Sequence, residues 1–200
     1  MLEHPDNKTA IFNWISERTP EGARVLDIGC GRGDLLHQLV TEKGIQAMGI
    51  ELSQEKVMAA VGRGLSVHHG DADEGLSSML DRSFDLTVFS LTIQELAKPI
   101  MVLKEAFRVS KKVVVVFPNF GYWPGRWQLA MRGRSPQTVT LPHSWFDSPN
   151  RHFLTIKDWK ELCQTEGWQI LEEGYLAEGK PVRFMPNLFA EVAIHLVKAE

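Results

Sequence analysis

The sequence predicts an α/β domain built on a mostly parallel sheet. Short apolar stretches alternate with segments of helical period along most of its 200 residues, the signature of strand–helix–strand units. A glycine-rich loop, Gly29-Cys30-Gly31-Arg32-Gly33, joins one such stretch to a helix, which is where open parallel sheets receive ligands. Acidic residues then recur where successive strands end, at Glu51 and at Asp71.

Each element has its own local reason. Ile11, Trp14 and Ile15 recur at helical spacing over residues 6–18, with Asp6 available as a cap. ARVLDI (23–28) is a short apolar strand. Leu35, Leu36, Leu39 and Val40 share one face of a helix over 33–43, which Gly44 ends. QAMGIE (46–51) is the second strand, and Ser53 opens a helix running to about Arg63 before Gly64. LSVHHG (65–70) and FDLTVFS (84–90) are the third and fourth strands, residues 98–109 a helix, and KVVVVF (112–117) a fifth strand buried on both faces. Thr155 and Asp158 form a capping box for a helix to about Glu166. WQILEEGYL (168–176) and NLFAEVAIHLV (187–197) complete the sheet. No clear helix separates these last two strands, so they predict an antiparallel edge. The whole chain, 1–200, reads as one domain carrying an irregular insert at 118–153, too long for an ordinary connection.

Composition narrows the function classes. Forty-four per cent hydrophobic and 24 per cent charged residues are ordinary globular usage. A net charge of −3 gives no global reason to expect nucleic acid or an anionic membrane as a partner. Cys30 and Cys163 form neither a disulfide framework nor a metal spacing. No metal site is expected, and His68 and His69 read as packing or surface residues. MLEHPDNKTA lacks a basic-then-apolar leader, and no apolar run is long enough to span a bilayer. A reducing, cytoplasmic setting is expected. Glu3 and the other N-terminal acids read as solvated.

The glycine loop carries the sharpest signal. The dinucleotide fingerprint needs a glycine at position 34, where the chain has Asp34. The pattern is instead Asp-x-Gly-x-Gly-x-Gly, with Asp27 two residues before Gly29. Asp27 and Asp34 together would repel a pyrophosphate, whereas a ligand bearing an ammonium and no phosphate meets no such barrier. Glu51 stands about twenty residues past the loop at a strand end, where a carboxylate accepts bonds from both ribose hydroxyls. Gly70-Asp71-Ala72-Asp73 ends the third strand, where a carboxylate can accept from an adenine amine. Ser90-Leu91-Thr92 ends the fourth, at the crevice beyond the strand carboxyl ends. The simpler alternative is a glycine turn that packs a helix, with acids left in water.

With these residues the sequence resembles the class I S-adenosylmethionine-dependent methyltransferases. The resemblance implies a Rossmann-like three-layer sandwich with a seven-stranded sheet, order 3-2-1-4-5-7-6, strand 7 antiparallel. It implies S-adenosylmethionine or S-adenosylhomocysteine as cofactor. The positions it assigns are the loop Asp27, Gly29, Cys30, Gly31 and Gly33 along the methionyl part, Glu51 at the ribose, and Asp71 with Ala72 flanking the adenine; Leu52 and Ser90 are counted with them as cofactor-binding residues. GDADEGL (70–76), FPNFGYW (117–123), RGRSPQT (132–138) and WFDSPNRHFLTIKDWKELC (145–163) are similar to the MetW family. That likeness covers roughly 20–176. It implies a part in methionine biosynthesis beside the homoserine O-acyltransferase MetX, as an accessory or regulatory subunit.

Chemistry of the chain's own is harder to read. A sulfonium is already activated, so methyl transfer needs mainly in-line placement of an acceptor, and a base only where a proton must leave. Ser90, Gln94, Glu95, Asn119, His143, Asp147 and His152 are available on the acceptor side and form no recognisable catalytic set. SLTIQEL lacks the Asn/Asp-Pro-Pro-Tyr pattern of amine-directed enzymes, which disfavours nucleic-acid bases as substrates. His152 either anchors its loop or meets a substrate. The insert concentrates Phe120, Tyr122, Trp123, Trp127 and Met131 with Arg126, Arg132 and Arg134. It reads as a lid, as a docking surface with the residue types of interface hot spots, or as inert packing. Gln94, Asn119, Tyr122, Trp123, Arg126 and His152 are the substrate or partner candidates. Trp127 and Met131, one helical turn apart, are expected to bury a face. The alternative to an accessory subunit is a small-molecule methyltransferase with 118–153 as its lid.

Overall fold

The computed structural model describes residues 5–199, so Glu3 lies outside the described residues. The order is α1 (Pro5–Arg18), β1 (Arg24–Ile28), α2 (Asp34–Lys43), β2 (Gln46–Glu51), α3 (Gln54–Val61), β3 (Ser66–His69), a 3₁₀ turn (Ala72–Glu74), β4 (Phe84–Ser90), α4 (Pro99–Val109), β5 (Ser110–Pro118), α5 (Trp123–Arg132), α6 (Ile156–Glu166), β6 (Trp168–Ala177), β7 (Lys180–Pro181), α7 (Pro186–Phe189) and β8 (Val192–Ala199). One sheet runs β3-β2-β1-β4-β5-β8-β6-β7. The expected order 3-2-1-4-5-7-6 is present once β8 is read as the seventh long strand. The eighth member, β7, is a two-residue addition at the edge. β1 to β5 pair in parallel, and β8 runs antiparallel to both β5 and β6.

The central strands are apolar because both faces are covered. In β5, Val113, Val115 and Phe117 join the side shared by Val102, Leu103 and Ala106 of α4 and Ile156, Trp159 and Cys163 of α6. Val114 and Val116 join the other side, with Ile11 and Ile15 of α1, Leu35, Leu36 and Leu39 of α2, and Ala60 of α3. All five β5 residues are fully buried, each contributing about 1.5–3 kcal/mol relative to exposure. One helix layer on each face makes the three-layer sandwich.

The caps explain where helices begin and end. Thr155 accepts from the Asp158 amide and Asp158 accepts from the Thr155 amide, a complete capping box on α6. Gly44 closes α2 in the left-handed conformation, its N–H returning to the Val40 carbonyl. Ser53 sits at the N-cap of α3 without a side-chain cap bond.

Three expectations need correction. The last strand starts at Val192, not at residue 187, because Pro186 opens the short helix α7 behind Met185, whose φ is positive. Asp34 is not an exposed negative charge beside the loop. Lys8 and Arg63 each stand 2.5 Å from it, and the Lys8 bond above all holds its carboxyl below the usual range. Of the two acids, Asp27 is the one left without a compensating cation. Trp127 and Met131 do not bury a face of α5, being 48 and 70 per cent exposed.

The N-terminal helix is latched to the sheet by a buried polar cluster. Asn7 is fully buried. It donates to the Glu191 carboxylate at 2.7 Å and accepts from the Gly179 amide at 2.7 Å. The same carboxylate oxygen accepts from the Glu178 amide. Asn7→Ala removes a donor from a buried carboxylate and an acceptor from a buried amide, which costs about 1–3 kcal/mol. The check is a lower urea midpoint with an unchanged denaturant slope.

Candidate functional site

Five parallel strands direct their carboxyl ends to one edge, and the glycine loop lies there between β1 and α2. Its glycines are not equivalent. A side chain at Gly29 would meet Thr92 at 2.5 Å, and one at Gly33 would meet Leu65 at 2.2 Å. These two glycines serve packing by neighbouring loops. At Gly31 the added atom would enter open space, with φ at +58°. Gly31 is therefore the point where bare backbone faces the crevice. Cys30 turns its thiol the other way, against the Cβ position of Gly49, and burial pushes the thiol up to about 12. Only its backbone is available to a ligand.

Glu51 holds the loop to β2. It is buried, and its two carboxylate oxygens accept from the Gly31 and Ser53 amides, each at 2.9 Å. Each oxygen retains capacity for a further donor such as a hydroxyl. Leu52 follows with its side chain 64 per cent exposed at the rim, and its carbonyl contacts the His69 ring at 3.0 Å.

Asp27 is 2 per cent exposed, and its Oδ1 has no hydrogen-bond partner. Burial, and secondarily the Glu51 charge, raise its carboxyl to about 7. A buried acid with an unsatisfied oxygen is a strong acceptor for an ammonium, whose charge favours its ionised form. An open cradle at Gly31, an unpartnered acid at Asp27 and an acceptor at Glu51 fit an amino-acid-bearing nucleoside.

Beyond β3, Asp71 caps the 3₁₀ turn by accepting from the Asp73 amide at 2.9 Å. Ala72 is buried. Asp73 accepts from the Ala97 and Lys98 amides at 2.7 Å each, tying this loop to the start of α4. Ser90 ends β4 half-buried. Leu91 follows with φ at +61°, an uncommon conformation for a non-glycine residue that over-determined sites retain. Its N–H is held by the Val116 carbonyl at 3.0 Å. The sequence places Leu91, Thr92 and Asp73 at the strand ends, but not their parts in shaping the loops: Thr92 against Gly29 and Asp73 on the Ala97 and Lys98 amides. A glycine at position 29 hints that something crowds it, but only the fold names Thr92.

The acceptor-side candidates are drawn together around the insert and are largely engaged. Gln94 is buried, donates to the Leu91 carbonyl at 2.6 Å, and leaves its Oε1 unpartnered. Its backbone carbonyl receives the Arg151 and His152 amides. His152 Nε2 lies 2.9 Å from the Leu96 carbonyl. Asn119 donates to the Ala190 and Asn187 carbonyls and accepts from the Gly121 amide. Burial first, then the nearby Glu191 carboxylate, raise the Tyr122 hydroxyl. Arg126 donates to the Gly121 and Asn187 carbonyls. Trp123 is half exposed. A cavity of about 200 Å³ opens within the insert between Phe120, Pro136, Leu141, His143, Trp145 and Phe153.

The described residues hold no group of three His, Cys, Asp or Glu able to bind a metal. Among them no helix is long and apolar enough to cross a membrane.

Residues 9–197 match the family model described as methionine biosynthesis protein MetW. The chain belongs to the MetW family. It is 33 per cent identical over 195 residues to the bifunctional methionine biosynthesis protein MetXA/MetW of Rhodopirellula baltica. That alignment covers 90 per cent of this chain and 31 per cent of the relative. It is 30 per cent identical over 111 residues to a ubiquinone biosynthesis O-methyltransferase of Pseudomonas fluorescens, covering 52 per cent of this chain and 47 per cent of that one. The chain thus spans 31 and 47 per cent of the length of these two relatives. Among solved structures, a SAM-dependent methyltransferase from Archaeoglobus fulgidus superposes with a TM-score of 0.71 at 18 per cent identity, covering 98 per cent of this MetW chain and 96 per cent of the other. A SAM-dependent methyltransferase from Thermotoga maritima, described as a possible histamine N-methyltransferase, gives 0.68 at 20 per cent identity over 98 and 91 per cent. The fold is that of the SAM-dependent methyltransferases.

The pH dependence of stability follows from Asp27. Its folded value, about 7, lies above the ordinary 3.8. The folded state therefore holds a proton that the unfolded state has released. Without ligand, this group makes stability fall as pH rises from about 4 through about 7. Asp27→Asn flattens that part of the profile. Urea midpoints at pH 5 and pH 8, for both proteins, provide the measurement.

Proposed function

We propose that this chain binds S-adenosylmethionine or S-adenosylhomocysteine and works beside a homoserine O-acyltransferase as an accessory or regulatory subunit of methionine biosynthesis, in the cytoplasm. The observation that carries the ligand is the buried Asp27 side chain with its unpartnered Oδ1, in the same strand-to-helix loop region as the open backbone of Gly31. Asp27 and the loop backbone at Gly29, Cys30, Gly31 and Gly33 would hold the methionyl part. Glu51 would take the ribose hydroxyls, Leu52, Asp71 and Ala72 would border the adenine, and Ser90 would close the crevice end. When bound, the sulfonium form supplies an activated methyl group. The partner is supported by the Rhodopirellula relative, whose name joins MetXA and MetW in one polypeptide.

The engaged state of Gln94, Asn119 and His152 favours the accessory reading, because these side chains already hold the insert in place. The second reading, a small-molecule methyltransferase with 118–153 as lid, is supported by the aromatic cavity beneath Trp145 and Phe153. It requires release of S-adenosylhomocysteine when the protein is incubated with S-adenosylmethionine and a metabolite extract.

Calorimetry with each cofactor form tests the ligand. Gly31→Val fills the cradle at a positive φ and is expected to abolish binding. Affinity is expected to fall as pH drops below about 7, by up to about tenfold per pH unit, because binding an ammonium requires Asp27 to lose its proton. Wild-type affinity that does not change between pH 5 and 8 would remove Asp27 from the site. Co-purification with the acyltransferase tests the partner; neither binding nor altered acyltransferase activity leaves the accessory reading without support.

A further inference from the structure

Helix α5 is ten residues long, and of these only Gly125 is buried, set against Pro136. A helix of that length is marginal by itself in water. Yet Trp123, Trp127 and Met131, spaced i, i+4, i+8 on one stripe, are 48, 48 and 70 per cent exposed. The body of the domain does not cover them. Arg126 pins the first turn to the Gly121 and Asn187 carbonyls. The Arg132 guanidinium lies 5.0 Å over the Trp127 ring. The helix is thus held rigidly at one end while its apolar stripe remains in water, an arrangement whose missing burial another surface must supply.

Charge indicates what surface that is. Residues 118–153 carry Arg126, Arg132, Arg134 and Arg151 against the single acid Asp147, in a chain whose net charge is −3. Arg132 and Arg134 make no ion pair among the described residues. A second copy is a poor occupant, because a two-fold contact through α5 would bring these arginines against themselves. A different protein with carboxylates around an apolar groove meets both requirements.

We propose that α5 is the helix by which this chain docks on its acyltransferase, with the Trp123–Trp127–Met131 stripe seated in an apolar groove and Arg132 and Arg134 paired to acids at its rim. The inference rests on the partnership proposed above and assigns it a surface. Helix-in-groove recognition uses anchors at this spacing, and Trp and Arg dominate interface energies. In the Rhodopirellula relative the region similar to this chain is 31 per cent of a polypeptide named for both parts. A tether of that kind keeps two such surfaces at high effective concentration.

The test is binding of the full chain to the homoserine O-acyltransferase encoded in the same genome. Trp127→Ala combined with Met131→Ala should weaken binding at least about tenfold. Arg134→Glu should weaken it most at low salt, the difference closing as salt rises. Met58→Ala removes a comparably exposed side chain from α3 and should leave binding within about twofold. Cofactor affinity unchanged in every variant shows that the fold is intact. Independently of any substitution, amide exchange over 123–132 should slow in the wild-type complex. Wild-type binding with unaffected α5 variants, or with no protection of 123–132, overturns the assignment of this surface and leaves the partnership standing. Absence of wild-type binding removes both. Protection of α5 on concentrating the chain alone would give the stripe to a second copy and overturn the proposal.

Discussion

The crevice depends on one constraint, that β1 to β5 all point the same way. Parallel strands cannot be joined by tight turns, so each must be followed by a crossover. Every crossover begins at the same edge of the sheet. The loops that leave β1, β2, β3, β4 and β5 are thereby gathered along one line, and residues as distant in sequence as Asp27 and Asn119 lie on a single rim. Covering both faces with helices makes the strands uniformly apolar. The strand ends are left as places where polar backbone can meet a ligand.

Within that rim the decisive contacts are electrostatic and local. Glu51 fixes the glycine loop by accepting its Gly31 amide, so the loop's position is set by β2 and not by β1 alone. Asp27, near the end of β1, is buried with its Oδ1 unpartnered. Burial, and after it the Glu51 charge, raise the cost of charging Asp27, which gives a positively charged ligand a larger effect there than at the surface. Asp34, nearby in sequence, is compensated by Lys8 and Arg63 and takes no part in this.

The insert follows different physics. Two of its polar side chains and part of its backbone hold it to the domain: Asn119 to α7 and Ala190, Arg126 to α7, and the 151–152 backbone to Gln94. Its apolar side chains are only partly used. Phe120 and Phe153 meet at 4.9 Å, whereas the α5 stripe and Trp145, at 79 per cent exposure, stay in water. A segment so firmly anchored and so poorly buried is arranged to meet something else.

Features carried by local chemistry were legible in the sequence: the parallel core from strand–helix alternation, the α6 start from Thr155 and Asp158, the α2 stop from Gly44, and the crevice from the glycine loop. These are decided within a few residues, by backbone conformational preference and hydrogen bonding between near neighbours. The tertiary structure alone decided which glycine is open to a ligand, that Asp34 is neutralised, that the last strand waits until Val192, and that Trp127 and Met131 face outward. Each of those outcomes turns on groups far away in the chain: Thr92 against Gly29, Lys8 and Arg63 against Asp34, β5 and β6 pairing with β8, and no helix or strand laid over α5. Helical spacing shows which side chains share a stripe. Whether that stripe is covered depends on what the rest of the chain, or another molecule, brings to it.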